Sequence, residues 1–343
     1  MVRGSEGPKV RGSEGPKVRR CEGPKVRGFV LLVFSVLWVQ CWGALGSVSA
    51  QSPQAPGPKS QAPAFARGFG GQAKPRAPAP QRIVSTSPSI TETLFALGLG
   101  DRVVGVSLYC WFPAEVAKLP KVGTFLRPDV EVIARLRPDL VFVHPGPGTT
   151  ASQLERLGIR TVTIERGSFS NVMTSILTIG RAAGAGDRAD ALLNGLTSRL
   201  DRVKASVASR PSKKFLIIVG RRTGTLTDIV GVGPNSYLDE IARLAGGTNV
   251  LASTRLEYPR ISMETIISLA PDVIIDVGEM GEFPDDSAAR RAATEKLWRG
   301  QTLVKAVREG QVHAVTDQAF VVPGPRIVEV AEHMAAWFHG VTR

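Results

Sequence analysis

The residues able to make or break bonds are few in this 343-residue chain, and their spacing excludes most catalysis. His313, His333 and His339 lack metal-site spacing, His144 is a lone imidazole that could touch a metal centre but is more commonly structural, and Cys110 has no Cys-x-x-Cys partner. No Gly-x-Ser-x-Gly elbow presents a nucleophile, and no Gly-Lys-Ser/Thr loop cradles a phosphate. The stretch Gly231-Val232-Gly233-Pro234-Asn235-Ser236 has the outline of a dinucleotide turn. Pro234 has no amide hydrogen to give and the third glycine is absent, so it reads as a turn before a helix. No catalytic residue, metal site or resident cofactor is expected.

Two acids stand out because the chain repeats the phrase around them. Asp129 to Asp139 and Ser262 to Asp272 share one order: a capping residue, then Glu131 or Glu264, an isoleucine, a leucine and Pro-Asp. An apolar run follows each, Leu140 to Val143 and Val273 to Ile275. A capped short helix, a proline stop and a buried strand are thus used twice. An acid near a helix start gains about 0.3–1 kcal/mol from the helix dipole, which is one reason for either glutamate.

The elements that hold these phrases form two similar halves. Upstream of each lies another helix, Ser89 to Leu97 and Ser236 to Leu244. Between the halves, Leu192, Leu193, Leu196, Leu200, Val203 and Val207 recur at helical spacing, with Asp187 as a possible cap and Pro211 beyond the end. A helix over 187–210 would span roughly 35 Å. The fold class expected is α/β: two three-layer lobes with central, mainly parallel sheets, 82–186 and 211–343, joined by that one long helix with a cleft between them.

The formal charge of +13 invites a nucleic-acid reading, but its distribution removes it. Residues 81–343 hold 31 Lys and Arg against 27 Asp and Glu. The excess sits in the first 80 residues, and no nucleic-acid partner is expected. Residues 3–26 repeat an eight-residue Gly/Pro-rich unit three times, too polar to bury a core. Lys25 and Arg27, the apolar run Phe29 to Val39 and Val48-Ser49-Ala50 then read as an export signal cleaved near Ala50. Translation from near Val26 would make the repeats an artefact of start assignment. Residues 1–50 are therefore a leader and 51–81, rich in Pro, Ala and Gln, a flexible linker. Cys41 follows Trp38-Val39-Gln40, which is not a lipoprotein pattern, and Cys110 is left alone in the exported chain.

The segment Ser87-Pro88-Ser89-Ile90-Thr91-Glu92-Thr93-Leu94-Phe95-Ala96-Leu97-Gly98-Leu99-Gly100-Asp101-Arg102-Val103-Val104-Gly105-Val106-Ser107 resembles the opening of the ABC-importer substrate-binding proteins that carry cobalamin, haem and iron-siderophores. Leu119-Pro120-Lys121-Val122-Gly123, the Glu131 phrase and Leu154-Glu155-Arg156-Leu157-Gly158-Ile159 extend the likeness, which covers about Arg82 to Phe338. It implies two α/β lobes on one long helix, a periplasmic location, and a permease dimer with its ATPase as partners of a monomer.

Within that family the chain looks most like the cobalamin binders, which implies a corrinoid ligand. The resemblance places Tyr109, Trp111, Phe125, His144, Tyr258 and Phe320 on ligand-facing loops. Phe125, His144 and Tyr258 stand where those binders place tryptophan, and His144 is the marked departure. Flat aromatic walls suit a corrin ring, which offers a wide apolar face. The resemblance also implies that Glu131 and Glu264 dock on the two permease subunits, one charge per lobe. A siderophore binder is the alternative, with Arg127, Arg221, Arg222 and Arg260 as anion contacts. Haem ranks third, because Thr124 stands where haem binders carry tyrosine. An exported chelatase-like enzyme would use His144 and Glu279, and a surface sensor would signal without delivering cargo.

Overall fold

The computed structural model describes residues 78–146, 150–278 and 288–341. The leader, the linker up to residue 77 and Glu279 lie outside them. The first half runs β1 (Ile83–Ser85), α1 (Pro88–Ala96), β2 (Val103–Val106), α2 (Val130–Arg135), β3 (Leu140–Val143), α3 (Thr150–Arg156), β4 (Thr161–Thr163) and α4 (Phe169–Ala182). Its sheet has the order β2-β1-β3-β4, and every pairing is parallel. Such a sheet needs cover on both faces, which explains why β1 and β3 are apolar and fully buried along their length.

After α5 (Gly186–Val207) the second half runs β5 (Lys213–Gly220), β6 (Ile229–Gly231), α6 (Tyr237–Leu244), β7 (Gly247–Asn249), β8 (Arg260–Ile261), α7 (Met263–Leu269) and β9 (Val273–Asp276). It closes with α8 (Ala288–Arg299), α9 (Lys305–Arg308), β10 (Val312–Ala314) and α10 (Ile327–His339). Its sheet is β10-β9-β5-β6-β8, with β7 added beside β5. Here β10, β9, β5 and β7 are parallel, whereas β6 and β8 run antiparallel to their neighbours β5 and β6.

The duplicated phrase does the same work in both sheets. Asp129 caps α2 by accepting from the amides of Glu131 and Val132 at 3.0 Å, and Ser262 caps α7 through Thr265. Arg137 and Ala270, just ahead of the prolines, turn into left-handed backbone with φ of 48° and 45°. The aspartate after each proline then reaches the neighbouring strand. Asp139 accepts from the amides of Gln81 and Arg82 beside β1, and Asp272 accepts from the Lys214 amide in β5. Each Pro-Asp therefore sets the register of its strand against the strand that opens its half.

Helix α5 is 22 residues long and begins one residue before Asp187, with no side-chain cap at Ala185. It ends at Val207, where Ala208 to Arg210 turn away ahead of Pro211. Ala189, Leu196, Leu200, Val203 and Val207 are its buried stripe. The stripe packs against α4 on one side and α10 on the other, and Arg199 grips Glu332 of α10 through two bonds of 3.0 and 2.7 Å. The helix is thus bonded down along its length, and one continuous core runs from Ile83 and Phe142 through Leu196 and Leu200 to Phe215 and Phe338. At about 1.5–3 kcal/mol per buried aliphatic side chain, that shared core resists separation of the lobes far more than a bare helix would.

Candidate functional site

Parallel strands end on the same edge, so a fold of this kind gathers its loops there. In the first sheet Ser87 follows β1, Leu108 to Trp111 follow β2, His144 follows β3 and Arg166 follows β4. The loop carrying Phe125 joins them because the Leu108 amide donates to the Gly123 carbonyl at 2.9 Å. Gly123 has φ of 88°, and a Cβ there would lie 2.7 Å from the Arg127 carbonyl oxygen. Only glycine fits. Thr124 accepts from the Arg127 amide through its hydroxyl at 3.0 Å, which tightens the turn and leaves Phe125 and Leu126 at its tip.

Four of the expected ligand residues lie on this edge. Tyr109 and Phe125 stand edge to face, with ring centroids 6.2 Å apart. Trp111, half-buried, is held by its indole N–H donating to the Leu108 carbonyl at 3.0 Å. His144 is also half-buried, but both ring nitrogens are engaged. Its Nδ1–H donates to the Ile164 carbonyl at 2.6 Å, and its Nε2 accepts from the Ser87 hydroxyl at 2.8 Å. With both nitrogens engaged in this way, no lone pair is left for a metal. Burial pushes the imidazole pKa down, and the nearby Arg166 charge pushes the same way against the Ile164 carbonyl.

Arg166 is the residue that sequence reasoning passed over. Its guanidinium lies over the Phe125 ring at 5.8 Å and close enough to His144 to act on its charge. The only signal for it was its place between the end of a short strand and the Gly167-Ser168 cap of α4.

The second lobe meets this edge through main chain. The Tyr237 amide, first in α6, donates to the Gly167 carbonyl at 3.2 Å. Tyr258 stands beside the start of α6, held there because the Gly231 and Gly233 amides donate to the carbonyls of Pro259 and Glu257. Its ring is 42% exposed, and its phenol pKa is pushed well up by partial burial, with the Glu257 charge adding. Phe320 is corrected: it is 2% exposed and stacks on Trp337 at 5.6 Å. Helix α10 covers it, so it is core, and only its carbonyl reaches the seam, accepting from the Tyr237 hydroxyl at 3.0 Å.

The arginines offered for a siderophore are also mostly committed. Arg221, with 4% of its side chain exposed, pairs with the fully buried Asp276, which also accepts from the Trp298 indole at 2.7 Å. Arg222 bonds Asp228 at 2.8 Å, and Arg260 lies 4.0 Å from the same carboxylate. Arg127 remains exposed. A second set of contacts ties the lobes below the seam, where Arg326 bonds Glu92 twice, bonds Asp317 at 3.0 Å and lies 4.1 Å over the Phe112 ring.

Exposed apolar side chains are concentrated at the same place. Of the eight large ones among the described residues, Leu108, Tyr109, Phe112, Leu126, Leu256 and Tyr258 lie on the three loops just described. Together these loops present an apolar wall. Cavities of about 320 and 410 Å³ lie beside Phe112 and Arg326 and beside Asp272 and Trp337. Glu131 and Glu264 are both exposed in the first turns of α2 and α7. Each of these helices precedes its strand through a proline stop, so both acids point from the loop-bearing edge. The Ser262 hydroxyl holds the Glu264 pKa down.

Residues 83–319 match the family model described as periplasmic binding protein. A substrate-binding lipoprotein of an ABC transporter from Bacillus subtilis is 32% identical over 75% of this chain and 79% of its own length. A cobalamin-binding protein of Halobacterium salinarum is 30% identical over 77% of this chain and 70% of its own. The crystal structure of a periplasmic vitamin B12 binding protein of Vibrio cholerae superposes with a TM-score of 0.64 at 24% identity, covering 76% of this chain and 96% of that one. A periplasmic haem binding protein of Pseudomonas aeruginosa superposes equally well, at 27% identity over 77% and 94%. Because the matched span takes in every strand of both sheets, the likeness is to the whole two-lobed architecture, and this chain belongs to the periplasmic binding protein family.

Proposed function

We propose that this protein captures a corrinoid, cobalamin or a close relative, between the aromatic loops of its two lobes and hands it to an ABC importer. As a family member it is an exported binding component of uptake and not a catalyst. The observation that carries the corrinoid reading is the apolar wall of exposed Leu108, Tyr109, Leu126, Leu256 and Tyr258 with half-buried Phe125 beside Tyr109. A macrocycle with a broad apolar face supplies the area such a wall needs, and few directed polar bonds are required. The relatives named for cobalamin and vitamin B12 support the same ligand.

The siderophore reading loses Arg221 and Arg222, whose charges are met by Asp276 and Asp228, and keeps only the exposed Arg127 and Arg260. The chelatase-like enzyme loses His144, since both its nitrogens are bonded within the protein. Haem stays the second reading, because the structural neighbours include haem binders on the same fold. In this reading Glu131 and Glu264 dock on the permease subunits, residues 82–186 and 211–343 act as the two lobes, and the leader is removed near Ala50. Absorption spectra of the purified protein exposed to cyanocobalamin, haem and a ferric siderophore, with calorimetry on whichever binds, test the ligand. Cyanocobalamin retained at one per chain is the expected result, and retention of haem or siderophore alone would replace it.

A further inference from the structure

Arg166 carries a charge that no described residue balances. Among the described residues no carboxylate pairs with its guanidinium, whose recorded partner is the Phe125 ring at 5.8 Å. It is exposed, and it is aimed by its surroundings. Phe125 is braced edge-on by Tyr109, Gly167 is bonded to the opposite lobe through Tyr237, and Ser168 caps α4 by accepting from the Asn171 amide. A guanidinium laid over an aromatic ring keeps its N–H edge free for a planar oxyanion. An apolar wall that holds a macrocycle would thus present that edge at the ring's periphery, next to the seam.

We infer that Arg166 is a specificity-determining residue that bonds an oxyanion on the rim of the bound macrocycle; this rests on the corrinoid-binding function proposed above. In cobalamin that oxyanion is the phosphodiester of the nucleotide loop, since the other side chains of the corrin are neutral amides. In haem it would be a propionate. The charge-assisted bonds form only after the ring has settled on Tyr109 and Phe125, so Arg166 sorts ligands that share a ring and differ in their rim.

The test compares the wild-type protein with Arg166→Gln and Arg166→Lys by calorimetry, with cyanocobalamin and with dicyanocobinamide, which has the corrin but no phosphodiester. Arg166→Gln should weaken cyanocobalamin roughly ten- to a hundredfold and leave cobinamide within about twofold, with Lys intermediate. Equal loss for both ligands, or loss for neither, overturns the inference while leaving corrinoid binding in place. If the wild type binds no corrinoid but binds haem, the function proposed above fails and haem is compared with its dimethyl ester. A loss in Arg166→Gln confined to free haem sustains the oxyanion role, and an equal effect on both forms overturns it. Failure of every tetrapyrrole to bind overturns both. Unchanged melting temperatures of these surface variants separate the result from unfolding.

Discussion

Arg326 and Glu92, 234 residues apart in the chain, meet through two hydrogen bonds of 2.6 and 3.0 Å that tie one lobe to the other. Glu92 has 3% of its side chain exposed and Arg326 14%, so neither charge has much water to fall back on. Removing one member of a buried pair strands the other, at a cost of about 3–5 kcal/mol. Arg326→Ala, which strands Glu92, should therefore lower the unfolding free energy in urea by about 3 kcal/mol, and Glu92→Ala, which leaves Arg326 its bond to Asp317, should cost less. The double variant should cost about 1 kcal/mol or more less than the sum of the singles. A loss below about 1 kcal/mol in Arg326→Ala would show that the shared core carries the lobes unaided.

His144 makes stability depend on acid. Its folded pKa lies below the ordinary 6.5 because burial and Arg166 disfavour the imidazolium. As pH falls from above 6.5 toward the folded value, the unfolded chain takes up a proton that the folded ring refuses, so stability is lost in that window. Melting temperatures between pH 7.5 and 5 should fall less steeply in His144→Gln than in the wild type. Parallel slopes would contradict this. His313 and His339 are also shifted down by burial, so the difference between the two profiles is the reading that counts.

The docking acids should separate binding from delivery. Glu131→Lys and Glu264→Lys, both exposed in the first turns of their helices, are expected to leave corrinoid affinity unchanged while uptake by cells falls sharply. Normal uptake with both reversed refutes the docking role.

Much of this architecture was legible because its signals are local. A capping Asp129 or Ser262, an apolar spacing and a Pro-Asp stop act within a dozen residues, and the repeated phrase exposed two equivalent half-sheets. The strands Ile83–Ser85 and Leu140–Val143 follow from the same patterning. What stayed hidden depends on distant chain. Phe320 sits in a loop but is buried because Trp337 arrives from α10 to stack on it. Glu92 and Arg326 each fall within family-like phrases, Thr91-Glu92-Thr93 and Pro325-Arg326-Ile327, yet nothing in either phrase names the other as partner. Arg166 is one arginine among many, and only the Phe125 ring beneath it distinguishes it.

The shared core predicts small motion. Because α5 is bonded to both α4 and α10 and the apolar cluster is continuous across the lobes, ligand binding should leave the radius of gyration unchanged within error in solution scattering. A clear compaction on adding cyanocobalamin would mean that the core parts and re-forms.

Gly123 offers a local check. Its φ of 88° and the 2.7 Å approach of the Arg127 carbonyl leave no place for a methyl group. Gly123→Ala should destabilise the protein by about 1–3 kcal/mol and, by shifting Phe125, weaken ligand binding more than stability loss alone explains. Wild-type affinity in this variant would show that the Phe125 turn is not part of the wall.

The bond between the Tyr237 amide and the Gly167 carbonyl uses no side chain at all. Short of proline, side chains at 237 can change without removing it, while Gly167, with φ of 108°, holds its carbonyl in backbone that favours glycine, so the alignment of the two walls rests on backbone groups. Aromatic and charged lining residues are then free to drift and try new cargo without the frame having to be rebuilt.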